Sequence, residues 1–428
     1  MKRTLLSIIV IAVVIGIVWF AMRKAQAPAN IEAPTITYTP VDTKHFRNSL
    51  FAEKLGQMTR IRFTPDGDTM LVSTLAENIY AFRREGNHFV KQERPFFSLK
   101  TGLPGFPPEE SGLSGMVLGA DFANTGDIFL LYTADAGEEK LKNRITRITF
   151  KRDGNNLIGV NPVLIFEGNT LSQPSHQIQG GVGLMINGVG HLLFNIGDAV
   201  NGKNSHDLSK EAGKIMLIER DGKAPVGPRP FPQAPKIQAI GLRNAFDLAL
   251  NPFDPLSRFM LGDTGTDRFD RLIYGKIIDI QNGGGRGLDL EWDGTNDSLK
   301  KAIVDTNTSG TPEMVLHRWD PTETVNDVVF YEAGRGGIPQ SNDKVSYVLL
   351  ALWGKTGSTE NTPGKKILLG ELHTDGQPRI ELSDFIVRSE AGKGKLGHPL
   401  GLAVDPKTGD IYFGEILEGN IYKVEPIN

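Results

Sequence analysis

Residues Met58–Ser73 read MTRIRFTPDGDTMLVS, and this short stretch decides the fold. Its first six residues alternate between apolar and polar, as in a half-buried strand, and a Pro-Asp-Gly turn leads into a second strand. A third strand begins after Asn78. The stretch therefore predicts an antiparallel strand-turn-strand unit, which cannot bury its own apolar face and must pack against similar units.

The same plan returns five more times along the chain. The further units lie at Gly115–Thr133, Val182–Gly197, Leu248–Gly262, Val328–Leu372 and Leu402–Val424. Six such units favour a closed radial array, so the sequence predicts an all-β protein, a six-bladed β-propeller over residues 46–428. An irregular β-sandwich, or two smaller β domains, is the alternative architecture that the strand pattern leaves open.

Long connectors separate some of these units, whereas amphipathic helices are scarce. The longest connectors are Lys223–Lys236 and Gly283–Thr311, and the best short helical candidate is Ser298–Val304. Long connectors of a propeller usually gather on one face, where they build the functional site.

Composition excludes several classes of protein. The 428 residues include 49 glycines, which fits a fold with many tight turns, and no cysteine, which removes disulfides and thiolate metal sites. The net charge of -3 and the scattered basic residues provide no surface for nucleic acid.

The N-terminal segment predicts export. Two basic residues precede an apolar run from Leu5 to Met22, and two more follow it. This run is nearer the length that spans a bilayer than the roughly 7 to 15 residues of a cleavable signal. We expect a membrane anchor at residues 1–25, a linker at 26–45 and a domain on the periplasmic side of a bacterial inner membrane. Cleavage after Ala27, which would release the domain, remains the alternative.

Several familiar motifs fail on inspection. Gly354-Lys355-Thr356 resembles the end of a phosphate-binding loop, but the glycine that should precede it by five residues is Leu349. The glycine-rich stretch Gly283–Gly287 does not join a strand to a helix, and the sequence contains no Gly-x-Ser-x-Gly elbow. Nicotinamide, ATP and serine-hydrolase chemistry therefore lack support.

Polar residues remain at the starts and ends of successive units, where a propeller can bring them to its central channel. They are His176, Asp198, the pair Arg243-Asn244, the acidic loop Asp263–Asp270, and Lys355. Each also has a plain structural interpretation, such as carboxylates that cap backbone N–H groups in the acidic loop. Their positions, rather than their residue types, indicate a site.

These residues resemble the glucose/sorbosone dehydrogenase family, six-bladed propellers that use pyrroloquinoline quinone. The resemblance runs from about Ala52 to Val424. It is carried by Ser114–Phe122 (SGMVLGADF), Gly213–Met216 (GKIM), Ile240–Asn244 (IGLRN) and Gly419–Val424 (GNIYKV). The Gly-x-Arg-Asn part of the third motif is the most specific match.

The resemblance implies a role for each site residue. His176 would be the general base that takes a proton from the anomeric hydroxyl, and Asp198 would orient it. The quinone would be held by Gln177, Arg243, Asn244, Lys355 and His398. A calcium ion would be bound by backbone oxygens of Gly265 and Thr266, with Asp270 nearby.

The chain also departs from the family pattern. Ile178 and Gln179 stand where members keep two glycines after the base. An arginine pair that some members carry before the last blade is replaced by Gly397-His398-Pro399-Leu400, so His398 or Lys395 would have to supply its contacts. The loss matters because the quinone carries three carboxylates.

We therefore expect an oxidoreductase that oxidises an aldose or sorbosone-type sugar with pyrroloquinoline quinone and Ca²⁺. It would pass electrons to a membrane quinone or a soluble carrier. Two alternatives remain: a non-catalytic envelope propeller that binds a ligand or partner protein, and a calcium-dependent lactonase.

Overall fold

The described residues cover most of the chain beyond its N-terminal segment. The computed structural model describes residues 38–103, 109–137, 140–227, 229–254, 258–276, 278–279, 284–285, 287–307, 314–354, 364–390 and 397–427. The predicted anchor at 1–25 and the predicted cofactor ligand Lys355 lie outside them. Within these ranges no helix is both long enough and apolar enough to cross a membrane.

Six antiparallel sheets follow one another along the chain, and we call them blades 1 to 6. Blade 1 contains Met58–Phe63, Thr69–Thr74, Asn78–Glu85, His88–Lys91 and Phe97–Ser98. Blade 2 contains Leu113–Leu118, Asp127–Asp135, Leu141–Asp153 and Asn156–Ser172. Blade 3 contains Ile178–Ile186, Val189–Ile196, Lys214–Glu219 and Ile237–Ile240.

The second half of the ring repeats the plan. Blade 4 contains Ala245–Leu250, Phe259–Asp263, Asp270–Gly275 and Val315–Trp319. Blade 5 contains Val325–Tyr331, Val345–Leu352, Lys366–His373 and Arg379–Arg388. Blade 6 contains Pro399–Val404, Ile411–Glu415, Asn420–Pro426 and Phe46–Ala52. The predicted six-bladed propeller is therefore confirmed.

The N-terminal part of the domain closes the ring. Strand Phe46–Ala52 pairs with Asn420–Pro426, so the last blade combines both ends of the domain. Just before it, strand Tyr38–Pro40 adds to the outer edge of blade 5 by pairing with Arg379–Arg388. The segment predicted as a linker, 26–45, thus contributes a strand to the propeller.

Apolar side chains fill the spaces between neighbouring blades. Leu193 and Leu217 of blade 3, for example, pack in one cluster with Leu248 and Leu261 of blade 4. Burying each such side chain contributes roughly 1.5 to 3 kcal/mol, which no single blade could obtain alone. This packing explains why the strand-turn-strand pattern repeats around a ring.

The connector between the third and fourth strands of blade 4 folds back onto blade 3. Its strand Leu288–Asp289 pairs in parallel with Ala239 and Ile240, and in antiparallel fashion with Val304–Asp305. The predicted helix Ser298–Val304 is wrong, because only Ser298–Lys300 forms a 3₁₀ turn before strand pairing takes over. The α-helix of the described residues is the single turn Phe122–Thr125.

The first strand of each blade lines a central channel, which an ionic cluster closes. Arg60 lies 3.9 Å from the Asp327 carboxylate, and Arg62 lies 3.5 Å from that of Asp247. Burial and the neighbouring Asp247 raise the pKa of Asp327 well above its usual range. The cluster forms the floor beneath the site described next.

Candidate active site

The centre of the site is a histidine–aspartate pair on blade 3. His176 precedes the innermost strand and Asp198 follows the second strand, so antiparallel pairing brings their side chains together. Nδ1 of His176 lies 2.5 Å from Oδ1 of Asp198. A Cβ atom on Gly197 would come within 2.7 Å of the carbonyl group of His176, so this close approach requires glycine.

Asp198 is held in one orientation by hydrogen bonds to both of its oxygens. Oδ1 also accepts the backbone N–H of Val200 at 2.9 Å, and Oδ2 accepts the indole N–H of Trp292 at 2.8 Å. A carboxylate fixed in this way stabilises the proton on Nδ1 of His176. The other ring nitrogen, Nε2, is then the acceptor, as a general base requires.

Glu110 supports the same histidine from blade 2. Its Oε2 accepts the backbone N–H of His176 at 3.0 Å and the side-chain amide of Gln179 at 2.6 Å. Burial raises the pKa of Glu110 above its usual range, and these hydrogen bonds oppose that effect. His176 has a φ of 60°, an unusual value for a non-glycine residue, and the bond to Glu110 helps to hold it there.

Arg243 and Asn244 occupy the neighbouring position on blade 4. Their backbone N–H groups both donate to Oδ1 of Asp263, at 3.1 and 2.9 Å. One guanidinium nitrogen of Arg243 donates to the carbonyl of Thr264 at 2.7 Å. The guanidinium carbon lies 5.6 Å from the ring centre of Trp292, so Arg243 adjoins the group that orients Asp198.

Three buried polar atoms of this pair and of the adjoining Thr264 have no hydrogen-bond partner within the described residues. They are Nε of Arg243, Oδ1 of Asn244 and Oγ1 of Thr264. A buried polar atom without a partner costs about 1 to 3 kcal/mol, so three of them together indicate a site built for a polar ligand.

A cavity of about 480 Å³, which we call the site cavity, opens at this end of the channel. Its floor includes Thr59, Arg60, Phe246 and Asn326, and Glu109, Glu110, Ser175, Gln179 and Trp353 line its walls. Apolar and aromatic walls with a few polar groups are typical of cofactor sites.

Blades 5 and 6 contribute His398 on the opposite side. Its ring stacks on Trp353 at 4.1 Å between ring centres, and its Nδ1 lies 2.7 Å from the carbonyl oxygen of Trp353. Burial lowers the pKa of His398 to about 4. It is therefore neutral at pH 7 and offers a ligand a hydrogen bond rather than a charge.

Two cations near His398 were missed from the sequence. The charges of Lys365 and Arg388 both lower the pKa of His398, and the Lys365 side chain is only 2% exposed. Their positions follow from loop geometry, because Lys365 stands just before a strand of blade 5 and Arg388 at the end of the next one. No motif marks either residue.

The carboxylate of Asp270, predicted to lie near the calcium ion, bonds to the backbone of its own loop and of the loop before blade 5. Oδ1 of Asp270 accepts the backbone N–H of Gly265, and Oδ2 accepts those of Glu323 and Thr324, each at 2.7 Å. The pKa of Asp270 is raised to about 6 by burial. Throughout the described ranges no three His, Asp or Glu side chains are grouped to hold a metal ion.

The structure thus brings together one part of the predicted site. His176, Asp198, Arg243 and Asn244 converge, whereas the side-chain amide of Gln177 is buried and donates to the carbonyl of Gln173. His398 lies across the cavity beside Trp353, and Thr266 bonds to Asn296 at 2.6 Å on the exposed side of its loop. Sequence reasoning missed Glu110 and Trp292.

Known proteins share both the sequence pattern and the fold. The pattern of the family described as Glucose / Sorbosone dehydrogenase matches residues 55–341, about two thirds of the chain. No curated protein is similar enough to count as a match.

Among solved structures, the soluble aldose sugar dehydrogenase of Escherichia coli in its apo-form is 16% identical, with a TM-score of 0.63 over 89% of this chain and 100% of that one. The PQQ-bound aldose sugar dehydrogenase of Streptomyces coelicolor is 18% identical, with a TM-score of 0.59 over 89% and 98%. The holo form of the pyranose dehydrogenase PQQ domain of Coprinopsis cinerea is 12% identical, with a TM-score of 0.62 over 93% and 99%. At such identities these likenesses establish the fold.

Proposed function

The chain belongs to the glucose/sorbosone dehydrogenase family, and we propose that it oxidises a sugar with pyrroloquinoline quinone as its cofactor. The observation that carries the proposal is the His176–Asp198 pair, whose neighbours Ser175 and Glu110 line the site cavity. A histidine whose tautomer is fixed by a buried carboxylate is a general base, and oxidation of a sugar hydroxyl requires one.

The chemistry divides between the cofactor and the chain. When bound, pyrroloquinoline quinone supplies a carbonyl group that accepts the hydride from the anomeric carbon. Nε2 of His176 accepts the proton of the anomeric hydroxyl as the carbon–oxygen double bond forms. Asp198 stabilises the resulting imidazolium, and Trp292 keeps the carboxylate aimed at Nδ1.

The described residues suit a flat, anionic cofactor. The unpartnered Nε of Arg243 and Oδ1 of Asn244 provide a donor and an acceptor on one side. On the other side, Lys365 and Arg388 bring positive charge towards His398, where the family's arginine pair is missing. The prediction that Lys355 holds the quinone together with Arg243 and Asn244 remains a prediction.

Calcium does not follow from the described side chains. Asp270 already accepts three backbone N–H bonds, so it is not free to act as a simple carboxylate ligand. Calcium at Gly265, Thr266 and Asp270 therefore rests on the family resemblance alone, and no step of the proposed reaction depends on it.

The walls of the cavity suit a polyhydroxylated substrate. Ser175 donates to Glu109 at 2.6 Å, and Glu110 and Gln179 lie beside it on the same wall. Carboxylates and amides can accept and donate hydrogen bonds to sugar hydroxyls, whereas Trp353 offers an apolar face. This arrangement favours an aldose over an apolar alcohol.

Location and electron acceptor are further parts of the proposal. The apolar run Leu5–Met22 supports a domain anchored on the periplasmic side of the inner membrane, where a membrane quinone or a soluble carrier would take the electrons. Membrane fractionation, followed by protease treatment of spheroplasts, tests this. Digestion of a membrane-bound chain from outside supports it, and a protected chain in the soluble fraction contradicts it.

Titration of the full-length protein with pyrroloquinoline quinone, with and without Ca²⁺, tests the central proposal. Absorbance reports binding, and a panel of aldoses with an artificial electron acceptor reports turnover. Saturable binding with sugar-dependent dye reduction is expected. Hydrolysis of a lactone without the quinone, or no binding at all, would overturn the assignment.

A further inference from the structure

Trp292 reaches the site from a different blade than the pair it supports. It lies on the connector that leaves blade 4 and returns to blade 3. The backbone of this connector is fixed by two hydrogen bonds, from Leu290 N to Ile240 O at 2.8 Å and from Trp292 N to Gly241 O at 3.0 Å. The orientation of Asp198 therefore depends on how firmly the connector is held.

A 3₁₀ helix of blade 3, Gly202–His206, packs against the other side of the connector. The Ser205 hydroxyl lies 2.5 Å from the carbonyl oxygen of Trp292. A Cβ atom on Gly202 would come within 2.3 Å of Cα of Gly294, so the two backbones touch. The helix and the connector thus form one packed unit around Trp292.

At the protein surface, His206 adds a further contact between the 3₁₀ helix and the connector. Its Nε2 lies 2.9 and 3.1 Å from the two carboxylate oxygens of Asp289, and its Nδ1 lies 3.1 Å from Oγ of Ser205. The side chain is 37% exposed, so solvent protons can reach it. The His206 imidazole therefore links Asp289, on the connector, to Ser205, on the 3₁₀ helix.

The number of available protons makes this bridge sensitive to pH. The Ser205 hydroxyl has a single hydrogen, and the carbonyl oxygens of Trp292 and Gly202 lie 2.5 and 2.6 Å from its Oγ. When both nitrogens of His206 are protonated, Nδ1–H donates to Ser205 and leaves the hydroxyl hydrogen to these two carbonyls. When His206 is neutral, with its proton on Nε2 towards Asp289, Nδ1 becomes a third acceptor for the same hydrogen and weakens the bond to Trp292.

The groups around His206 raise its pKa. The hydrogen bond to Asp289 has the largest effect and raises the pKa of His206, and Glu291 raises it further, whereas burial and the charge of Lys214 lower it. Asp207 and Lys210, on the adjoining loop, lie 3.8 Å from each other. The net effect is a pKa of His206 above its usual value, which favours the protonated form.

We propose that His206 and Asp289 form a pH-dependent clasp that, through Ser205, holds Trp292 on Asp198 and so orients the base His176. His206 is thus a positioning residue two contacts removed from Asp198. Its effect on catalysis rests on the proposed dehydrogenase function, whereas its effect on Trp292 does not.

The NMR signal of the Trp292 indole N–H reports directly on the clasp. In full-length protein with ¹⁵N-labelled indoles, the Trp292 signal is assigned by its loss in Trp292→Phe. Because the indole donates to Asp198, which also contacts His176, the comparison is made in a His176→Gln background. There we expect the Trp292 signal to move with pH, and to become pH-independent when His206→Gln is added. His45→Gln is the matched control, because His45 forms a similar surface pair with Asp42 at 2.6 Å away from the site; it should leave the titration unchanged.

Two results would overturn the clasp: a Trp292 signal that does not titrate in His176→Gln, or one that titrates equally when His206→Gln is added. Activity adds a second readout. Loss of one hydrogen bond predicts that wild-type kcat falls about 2- to 10-fold as pH rises through the His206 transition, with KM unchanged and no such fall in His206→Gln. A chain without dehydrogenase activity would refute the proposed function, and the indole titration would still decide the clasp.

Discussion

The two sides of the site cavity are built on different principles. On blades 3 and 4, His176, Asp198 and Arg243 are fixed by direct hydrogen bonds, and Arg243 belongs to the Gly-x-Arg-Asn motif. On blades 5 and 6, His398 is neutral, and positive charge comes from Lys365 and Arg388, which no motif marks.

The side of the cavity that carries the base serves catalysis, and the side that carries the cations serves cofactor affinity. The side that moves a proton needs fixed geometry, because a general base acts only within hydrogen-bond reach of the proton that it takes. The side that holds carboxylates needs positive charge, which side chains from several backbone positions can supply. The first side is therefore recognisable in sequence, and the second is free to change its residues.

Removing the base should have the largest effect. We expect His176→Asn to lower kcat by about 100- to 10,000-fold, because a positioned general base contributes that much to the rate. Cofactor affinity, measured by absorbance titration, should change little, since His176 is not among the charged groups that hold carboxylates. The exposed His88 provides the control, His88→Asn. Full activity of His176→Asn would show that His176 is not the general base.

Glu110 should have the next largest effect. Glu110→Gln keeps the shape of the side chain but removes the charge that accepts the His176 backbone N–H and the Gln179 amide. Hydrogen bonds to a charged group are worth about 1.5 to 3 kcal/mol, so kcat should fall about 10- to 100-fold.

The adjacent residue supplies a matched control for that measurement. Glu109 contacts Ser175 but not His176, so Glu109→Gln should alter KM for the sugar and leave kcat nearly unchanged. Equal losses of kcat in both variants would show that Glu110 has no special hold on the base.

On the other side of the cavity, Lys365→Met should weaken cofactor binding rather than slow the reaction. Loss of one buried cation near a carboxylate of the cofactor predicts an affinity for pyrroloquinoline quinone about 10-fold lower, with kcat at saturation unchanged. Lys344, an exposed residue of the same blade, gives the control Lys344→Met. An unchanged Kd in Lys365→Met would mean that charge on blades 5 and 6 comes from elsewhere.

The smallest effect concerns the neutral state of His398. Its pKa in the folded protein is lowered to about 4, below the unfolded value, so the unfolded chain binds more protons between the two values. Stability should therefore be complete above the unfolded pKa and fall as pH drops, by about 1 kcal/mol from pH 7 to pH 5.5.

Thermal unfolding of His398→Gln checks this sign. The variant should lack that part of the pH dependence of Tm, while its cofactor affinity should not vary more with pH than that of the wild type. A wild-type affinity that rises steeply as pH falls from 7 to 5.5, and does not rise in His398→Gln, would indicate a charged His398.

The ring of blades could be predicted because its signal is local. Alternation in units such as Met58–Ser73, each ended by a turn, specifies strands that need partners, and six copies specify a ring. The connector between the third and fourth strands of blade 4 could not be predicted. Its parallel pairing of Leu288–Asp289 with blade 3 joins two residues to two others, and such short pairings leave no periodic pattern.

The site was predictable to the extent that its residues stand at the starts and ends of strands. His176 and Asp198 were found by that rule, and Glu110 obeys it too, three residues before the innermost strand of blade 2. Trp292 and Lys365 were hidden because their positions depend on how loops return to the ring. Lys355, Ca²⁺ and the N-terminal anchor remain predictions.

The most direct test of the account follows one turnover without oxygen. Full-length protein loaded with pyrroloquinoline quinone is mixed rapidly with an aldose carrying either protium or deuterium at the anomeric carbon, and the cofactor absorbance is recorded. The account predicts that the sugar reduces the quinone and that deuterium slows the change several-fold. A cofactor spectrum that no aldose alters would contradict it.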